Sequence, residues 1–191
     1  MSPHSNHLSQ PSDGRTTLHL AVEHNRLNIV QLLLARNADI RAQDRWGCTA
    51  LHVAAMKGHE ESTKLLISYY TTSSSSLHDL PHILDSYGAT PFHVAADSGL
   101  STRIISILLS AGAAIDLRDT RAGFSPLHFA AQKGHESIVR ILVDSGASVG
   151  MNARCGWNAL HLAVQGGHDA VVAVLLERGA EVDGRTEAGS I

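Results

Sequence analysis

The sequence predicts an all-α repeat solenoid, in which helix-turn-helix units stack on one another. Three observations predict it: a recurring tetrapeptide centred on histidine, helix-starting and helix-ending residues at fixed offsets from it, and apolar residues at helical spacing. The tetrapeptide occurs five times in 191 residues, at steps of 33, 41, 35 and 33 residues. A period near 33 residues is typical of stacked supersecondary units. The histidines are His19, His52, His93, His128 and His161.

The first helix of each unit has a clear start and a clear end. A glycine precedes each helix. The residue two positions after it has a side chain that can accept a backbone N–H at a helix N-terminus. In two units a proline follows at the first helical position. A glycine ends the helix, or Asn25 in the first unit, because asparagine tolerates the left-handed conformation. The predicted capping residues are Thr16, Thr49, Thr90, Ser125 and Asn158, and the ending glycines are Gly58, Gly99, Gly134 and Gly167.

The second helix of each unit is predicted by apolar residues at helical spacing, such as Ile138, Val139 and Leu142 in the fourth unit. It ends at a glycine in three units and at Asn37 in the first. A single pair of helices cannot bury both of its faces, so the units must stack to form a core.

These motifs resemble those of a known family. The pattern Asp-x-x-Gly-x-Thr-Pro-Leu-His-x-Ala-Ala-x-x-Gly-His, followed by Leu-Leu-x-x-Gly-Ala, resembles the ankyrin repeat, with the best matches at residues 85–99 and 123–135. The resemblance covers roughly residues 12 to 185. It implies short β-hairpin fingers, a concave surface of fingers and inner helices for protein partners, and tetrapeptide imidazoles that hydrogen-bond the backbone of neighbouring turns.

The pattern also predicts how the chain is divided. We expect a disordered segment over residues 1–11, a repeat domain over 12–185 and the truncated start of a sixth unit over 186–191. The units span about 12–43, 44–84, 85–118, 119–152 and 153–185.

Two units depart from the regular length. The second carries an inserted loop over residues 69–84, rich in Ser and Thr. We interpret the loop either as a specificity or phosphorylation segment or as an insertion tolerated between units, since lengthening a loop costs little. The fourth unit has an extra residue in its finger, between Asp119 and Gly123.

The last unit has an apolar second helix where a terminal unit is expected to be polar. We therefore predict that the chain is a fragment of a longer protein or has an unprotected end, with either fraying or self-association at the C-terminal unit.

Composition excludes several classes of function. A net charge of −3 with mixed signs does not favour nucleic acid. No apolar stretch approaches the roughly 20 residues needed to span a bilayer, and no signal-peptide core follows the N-terminus. Cys48 and Cys155 lie in different units without zinc spacing. We predict an intracellular protein, cytoplasmic or nuclear and not secreted, without membrane insertion.

The 13 histidines do not indicate a metal site. Eight belong to the repeat: the tetrapeptide residues, together with His59, His135 and His168 in the Gly-His position that ends the first helix. The best remaining pair is His78 and His82, but Pro81 interrupts any helix through it. No nucleophile or phosphate-binding motif occurs. We therefore predict no metal, no cofactor and no enzyme activity.

The predicted binding residues lie at finger tips and on the exposed face of the first helices. Arg and aromatic side chains dominate the tips, and these residue types often dominate binding energy. Trp46 and Tyr87 are equally compatible with partner binding and with finger packing, whereas packing is favoured for Trp157. The candidate set is Arg45, Trp46, Met56, Lys57, Ser86, Tyr87, Asp97, Arg121, Phe124, Gln132, Lys133, Arg154, Trp157 and Gln165.

The predicted function is a non-catalytic protein–protein interaction module that presents its finger tips and a concave helix face to another protein. The alternative is a targeting or substrate-recruiting arm of a larger regulatory enzyme, such as a ligase adaptor or a signalling NTPase. The sequence does not identify the partner.

Overall fold

The computed structural model describes residues 13–73, 80–184 and 186. Within these ranges the chain forms five antiparallel helix pairs, and a 3-10 helix, Leu80–His82, precedes the third pair. The predicted all-α repeat solenoid is confirmed. The pairs are α1 (Thr17–Glu23) with α2 (Leu27–Ala35), α3 (Ala50–Lys57) with α4 (Glu60–Ser73), α5 (Pro91–Ser98) with α6 (Thr102–Ser110), α7 (Pro126–Lys133) with α8 (Glu136–Asp144), and α9 (Ala159–Gly166) with α10 (Asp169–Glu177).

The inner helices α1, α3, α5, α7 and α9 begin as the sequence predicts. Each has a capping box formed by the predicted capping residue and the tetrapeptide histidine. In α5, the Thr90 backbone N–H donates to His93 Nδ1 at 3.1 Å, and the His93 N–H donates to Thr90 Oγ1 at 3.4 Å. Asn25 and Asn37 have positive φ values of 51° and 59°, which confirms that each replaces a helix-ending glycine.

One continuous core runs along the stack. Inner helices contribute small residues such as Ala54, Ala96 and Ala130, which are fully buried and let neighbouring helices approach closely. The outer helices contribute larger aliphatic residues such as Leu66 and Leu142. Each unit thus buries its apolar surface against its neighbours.

The tetrapeptide histidines connect successive units. Because Nδ1 accepts a backbone N–H within the capping box, Nε2 carries the proton and donates to a backbone carbonyl further along the chain. The expected bond between neighbouring turns is found for four of the five histidines. They are His19 to Cys48 O at 2.9 Å, His52 to Ala89 O at 3.2 Å, His93 to Leu117 O at 2.8 Å and His161 to Gly184 O at 2.9 Å.

His128 is the exception, because its Nε2 is buried without a hydrogen bond of good geometry, although the carbonyls of Trp157 and Met151 lie near the imidazole. The other end of the imidazole is held normally, with the Ser125 backbone N–H donating to Nδ1 at 3.1 Å. The sequence offers no sign of this difference, since the tetrapeptide itself is regular.

The Gly-His histidines make a second set of bonds between units. His59, His135 and His168 donate from Nε2 to the carbonyls of Glu23, Asp97 and Gln132, at 3.2, 2.9 and 2.9 Å. In the third unit this position is occupied by Leu100, whose side chain is 63% exposed.

The predicted start of the inserted loop at residue 69 is wrong. Helix α4 continues to Ser73, and Tyr70 is buried, four residues after the core residue Leu66. Further along the insertion, Ile83 packs against the core, and the Gln43 side-chain amide donates to Leu84 O at 2.8 Å. Residues 74–79 and the predicted disordered segment 1–11 lie outside the described residues, as does the sixth-unit segment except for residue 186.

The fingers are tight turns, and within the described residues they contain no strand. In the second finger the Asp44 N–H donates to Cys48 O at 2.9 Å. In the fourth finger, the Asp119 N–H donates to Phe124 O at 2.8 Å. This turn therefore encloses one residue more than the turn of the second finger. The predicted extra residue in this finger is confirmed.

Candidate partner-binding groove

Aspartates hold the fingers in shape. Oδ1 of Asp44 accepts from the backbone N–H groups of Trp46 and Cys48, both at 2.9 Å. Oδ1 of Asp85 accepts from Tyr87 N–H at 2.8 Å and from Ala89 N–H at 2.9 Å. A side chain at the tip of such a turn is therefore presented from a fixed backbone.

Neighbouring fingers are tied to one another. Backbone N–H groups of Arg45, Ser86 and Arg154 donate to Asp13 O, Trp46 O and Ala122 O in the preceding finger, at 2.9, 2.8 and 3.0 Å. The third and fourth fingers are linked by a side chain instead, because Thr120 Oγ1 donates to Tyr87 O at 3.3 Å. The fingers thus form a row along one edge of the stack.

A groove of about 660 Å³ lies between this row and the inner helices of the second, third and fourth units. We call it the finger groove. Its apolar lining combines side chains from helices α3, α5 and α7 with aromatic side chains from the fingers. These residues are Val53, Met56, Val94 and Phe129, with Trp46, Tyr87 and Phe124.

The end of the groove in the fourth unit is an aromatic cluster. The Phe124 ring stacks on His128 with centroids 5.5 Å apart, and it meets Phe129 edge-to-face, also at 5.5 Å. Phe129 in turn meets His93 of the third unit edge-to-face at 5.8 Å. This end of the groove is therefore held by ring contacts that cross from one unit to the next.

Trp46 and Tyr87 differ in how much surface they leave free. Trp46 is half-buried, and the guanidinium carbons of Arg45 and Arg15 lie 4.1 and 5.4 Å from its ring. Tyr87 is 52% exposed, with Arg121 at 5.7 Å. Finger packing thus accounts for part of the Trp46 surface, while the Tyr87 ring is available.

The charges of the groove are partly compensated. Arg15 Nη1 lies 2.7 Å from Glu23 Oε2, and Arg15 Nε lies 3.7 Å from Asp44 Oδ2. Asp97 Oδ1 lies 3.7 Å from Lys133 Nζ at the rim. The groove therefore presents apolar surface edged by ion pairs.

Cys48 also lines the groove, but its thiol is unreactive at neutral pH. Burial, reinforced by the carboxylates of Asp44 and Asp85, raises the pKa of its thiol to about 12. Since the thiolate is the reactive form, Cys48 does not act as a nucleophile at neutral pH.

The structure brings six of the predicted binding residues together in the groove: Trp46, Met56, Tyr87, Asp97, Arg121 and Phe124. The others do not line it. Lys57 lies 3.8 Å from Glu23, and Trp157 is half-buried, with its ring 6.2 Å from that of His161. The remaining residues outside the groove are Arg45, Ser86, Gln132, Lys133, Arg154 and Gln165, all of them exposed.

Several groove residues are absent from the predicted binding set. Val53, Val94 and Phe129 directly follow the tetrapeptide histidines and were interpreted only as parts of the repeat motif, although in the structure they line the groove. Their apolar character at the same position of each unit is the signal that could have identified them. Arg15 was missed because the first finger lacks an aromatic residue.

The described part of the chain contains no group of three or more His, Cys, Asp or Glu side chains arranged to hold a metal ion. Of the candidate pair His78 and His82, His78 lies outside the described residues. In that same part of the chain, no helix has both the length and the apolar character needed to cross a membrane.

Comparison with known proteins gives one consistent family. The chain matches the family described as ankyrin repeats (3 copies) over residues 2–44, 18–119, 75–154 and 92–186. It is 33% identical over 135 residues to the B-cell lymphoma 3 protein homolog of Mus musculus, covering 71% of this chain and 29% of that protein. It is 32% identical over 136 residues to a fowlpox virus protein named as an ankyrin repeat protein, FPV223. That match covers 71% of this chain and 88% of the viral protein.

A third relative carries an enzyme name. The chain is 37% identical over 136 residues to the tyrosine-protein kinase Shark of Drosophila melanogaster, covering 69% of this chain and 13% of the kinase. The chain thus spans most of the viral relative but less than a third of the mouse and fly proteins.

Proposed function

Because this chain belongs to the ankyrin-repeat family, we propose that it is a non-catalytic protein–protein interaction module and that a protein partner docks in the finger groove. Members of this family are generally interaction modules. The observation that carries the proposal is the finger groove itself: an open apolar channel of about 660 Å³ bordered by exposed Arg and Tyr side chains. Contiguous exposed apolar surface on a soluble domain is typical of a binding site.

The rigidity of the groove supports the same function. Its finger turns are held by the aspartates, its fingers are tied to one another, and its aromatic end is packed across two units. A preorganised surface loses little conformational entropy on binding, so more of the contact energy appears as affinity. We expect Tyr87 and Met56 to be anchors, since both lie in the groove and remain exposed at 52% and 39%.

The test compares two triple variants, each of which replaces three side chains: one set lies in the groove and the other lies outside it. In the first, Trp46, Tyr87 and Arg121 become Ala; in the control, Gln132, Arg154 and Gln165, which are exposed outside the groove, become Ala. Wild type and both variants are used for affinity capture from a lysate with quantitative mass spectrometry, and circular dichroism checks that helicity is kept.

We expect proteins captured by the wild type to be retained by the control and lost by the groove variant, by at least about tenfold, because the variant removes the anchor Tyr87 together with two other groove side chains. Equal capture by the groove variant and the wild type would show that the partner docks elsewhere.

A second candidate is a targeting or substrate-recruiting arm of a larger regulatory enzyme, such as a ligase adaptor or a signalling NTPase. The match to a tyrosine-protein kinase, of which the matched segment is only 13%, favours this possibility. Sequencing the full transcript decides it: an adjoining catalytic domain supports the arm, and a transcript without one removes it.

We also propose an intracellular location, cytoplasmic or nuclear. It rests on Cys48 and Cys155, which are both free thiols, as expected in a reducing compartment. Fractionation of cells that express a tagged chain tests it, and secretion into the medium would contradict it.

A further inference from the structure

Exposed aromatic surface and an exposed positive charge occur together in the finger groove, where the third and fourth fingers meet. The Tyr87 ring lines the groove and is 52% exposed, and the guanidinium carbon of Arg121 lies 5.7 Å from the centre of that ring. Arg121 lines the groove as well, from the fourth finger. We call Tyr87 and Arg121 the tip pair. Both residues belong to internal units of the stack, with a described unit on either side.

The guanidinium of Arg121 is available to a partner. Within residues 13–73 and 80–184, Arg121 forms no ion pair and its guanidinium makes no hydrogen bond. Asp119 is the carboxylate nearest to it in the sequence. Its Oδ1 accepts the backbone N–H groups of Ala122 and Phe124 at 3.1 and 2.8 Å, and the residue is 5% exposed. Asp119 therefore serves the finger turn and does not balance the charge of Arg121.

The other carboxylates that line the groove are also engaged. Oδ1 of Asp44 and Oδ1 of Asp85 each accept two finger N–H groups. Asp44 is 7% exposed and also lies near Arg15, with 3.7 Å between Oδ2 and Nε. Asp97 lies 3.7 Å from Lys133 Nζ. A cationic partner would have to compete with these contacts, whereas an anionic partner meets an unpaired guanidinium.

A partner that covers Tyr87 must cover Arg121 too, because the guanidinium lies over the same ring. Removing a guanidinium from water without a counter-charge is strongly unfavourable. A carboxylate removes this penalty, since its two oxygens accept two parallel, charge-assisted hydrogen bonds from one guanidinium. A purely apolar segment is therefore a poor occupant of this part of the groove.

We propose that the occupant of the finger groove is an acidic linear segment of another protein. A large apolar side chain of the segment packs on Met56 and Tyr87, which are 39% and 52% exposed. An Asp or Glu next to it binds Arg121. This assignment rests on the proposed function, because it names the chemistry of the partner at the same site. The anion is a carboxylate and not a phosphate, since phosphate groups are typically bound by clusters of arginines and the tip pair contains one.

The dimensions of the groove suit a short extended segment. The groove crosses the three inner helices α3, α5 and α7. Axes of packed helices lie about 8–10 Å apart, so the crossing measures about 16–20 Å. An extended chain advances about 3.3 Å per residue, which gives five or six residues, and its successive side chains point in opposite directions. An apolar residue can thus face the helices while its acidic neighbour faces Arg121.

The first experiment allows the groove to select its own ligand. A phage-displayed library of random peptides of about 12 residues, twice the length of the crossing, is panned on the immobilised 191-residue chain and, in parallel, on its Tyr87→Ala variant. Recovered peptides are sequenced. We expect peptides enriched on the wild type and not on the variant to carry Asp or Glu next to Phe, Leu, Met or Trp.

The second experiment measures the charge contribution with the most enriched peptide, labelled for fluorescence anisotropy. Arg121→Gln should weaken binding about tenfold and remove most of the salt dependence that the wild type shows between about 0.05 and 0.5 M NaCl, because the charge pair is lost. Arg154→Gln is the matched control, since Arg154 is an exposed finger arginine outside the groove, and it should leave the affinity unchanged. Circular dichroism checks that both variants keep their helicity.

A charge exchange provides an independent route to the same answer. Arg121→Glu should abolish binding of the acidic peptide and should restore binding of a peptide whose acidic residue is replaced by Lys. Absence of this restoration, in a variant that keeps its helicity, contradicts the assignment.

The possible failures separate this assignment from the proposed function. Peptides that require Tyr87 but are neutral or basic, or an affinity that Arg121→Gln does not change, would overturn the acidic assignment and leave docking in the groove intact. A library that yields no enriched peptide would overturn the linear segment in favour of a folded partner. Peptides that bind the wild type and Tyr87→Ala equally would contradict docking in the groove itself.

Discussion

Lowering the pH should destabilise this protein through a buried histidine. His128 is 1% exposed, and burial lowers the pKa of its imidazole from 6.5 to about 4, although the nearby carbonyls of Trp157 and Met151 act in the opposite direction. The unfolded chain therefore binds a proton more tightly than the folded one. The stabilisation is complete above the unfolded pKa of 6.5 and is lost as the pH falls towards 4.

The size of the effect follows from the two pKa values. For His128 alone, linkage gives a loss of about 2 kcal/mol in the free energy of unfolding between about pH 8 and pH 5. Burial also lowers the pKa values of His52 and His93, which adds to the loss in the same direction. Unperturbed carboxyl groups titrate mostly below this window.

The measurement is urea unfolding at a series of pH values for the wild type and for His128→Gln. Glutamine is the matched control, because a Ser-x-x-Gln sequence can still form the capping box with Ser125 while it removes the titrating group. We expect the variant to lose about 2 kcal/mol less than the wild type over the same window. Equal losses in the two proteins would refute the assignment of this pH dependence to His128.

Two other predictions concern single residues. Gly88→Ala should lower the free energy of unfolding in urea by about 1–3 kcal/mol more than Gly146→Ala does. Both glycines have positive φ, but only a Cβ at residue 88 would overlap a neighbour, the Thr120 side chain. Equal losses in the two variants would contradict this prediction. Iodoacetamide at about pH 8 should modify the exposed Cys155 well before Cys48, whose pKa is raised to about 12; peptide mass spectrometry measures both, and equal rates would contradict the prediction.

The helix boundaries of the repeat could be predicted from the sequence because local chemistry determines them. A capping side chain, a proline at the first position or a residue that tolerates positive φ acts within one turn of its own backbone. Asn25 and Asn37 illustrate this, since asparagine alone indicated the conformation that the structure contains.

The inserted segment was harder to predict, because its composition indicates a loop whereas its packing extends a helix. Ser and Thr around residues 71–76 indicate a loop, yet Tyr70 continues α4 by burying its ring on the core. Its spacing of four residues from Leu66 was the available signal. Tertiary packing outweighed the weak local preference for helix, as it commonly does.

The groove could be predicted only in part from the sequence. Residues at finger tips, such as Tyr87 and Arg121, could be identified because the turn itself makes them project. Val94 and Phe129 could not be separated from core residues without knowing which side of the inner helix faces the fingers. Whether Nε2 of His128 makes a well-aligned hydrogen bond depends on the position of the next unit. No local sequence pattern determines that position.

The side-chain link between the third and fourth fingers has a consequence for the shape of the whole stack. The rotation from one unit to the next determines the curvature of a solenoid, and elsewhere in the row a backbone hydrogen bond sets the spacing of neighbouring fingers. At this joint the spacing depends on the Thr120 hydroxyl. A change at residue 120 is therefore expected to alter the bend of the array, and with it the width of the finger groove, while leaving the buried core residues in place.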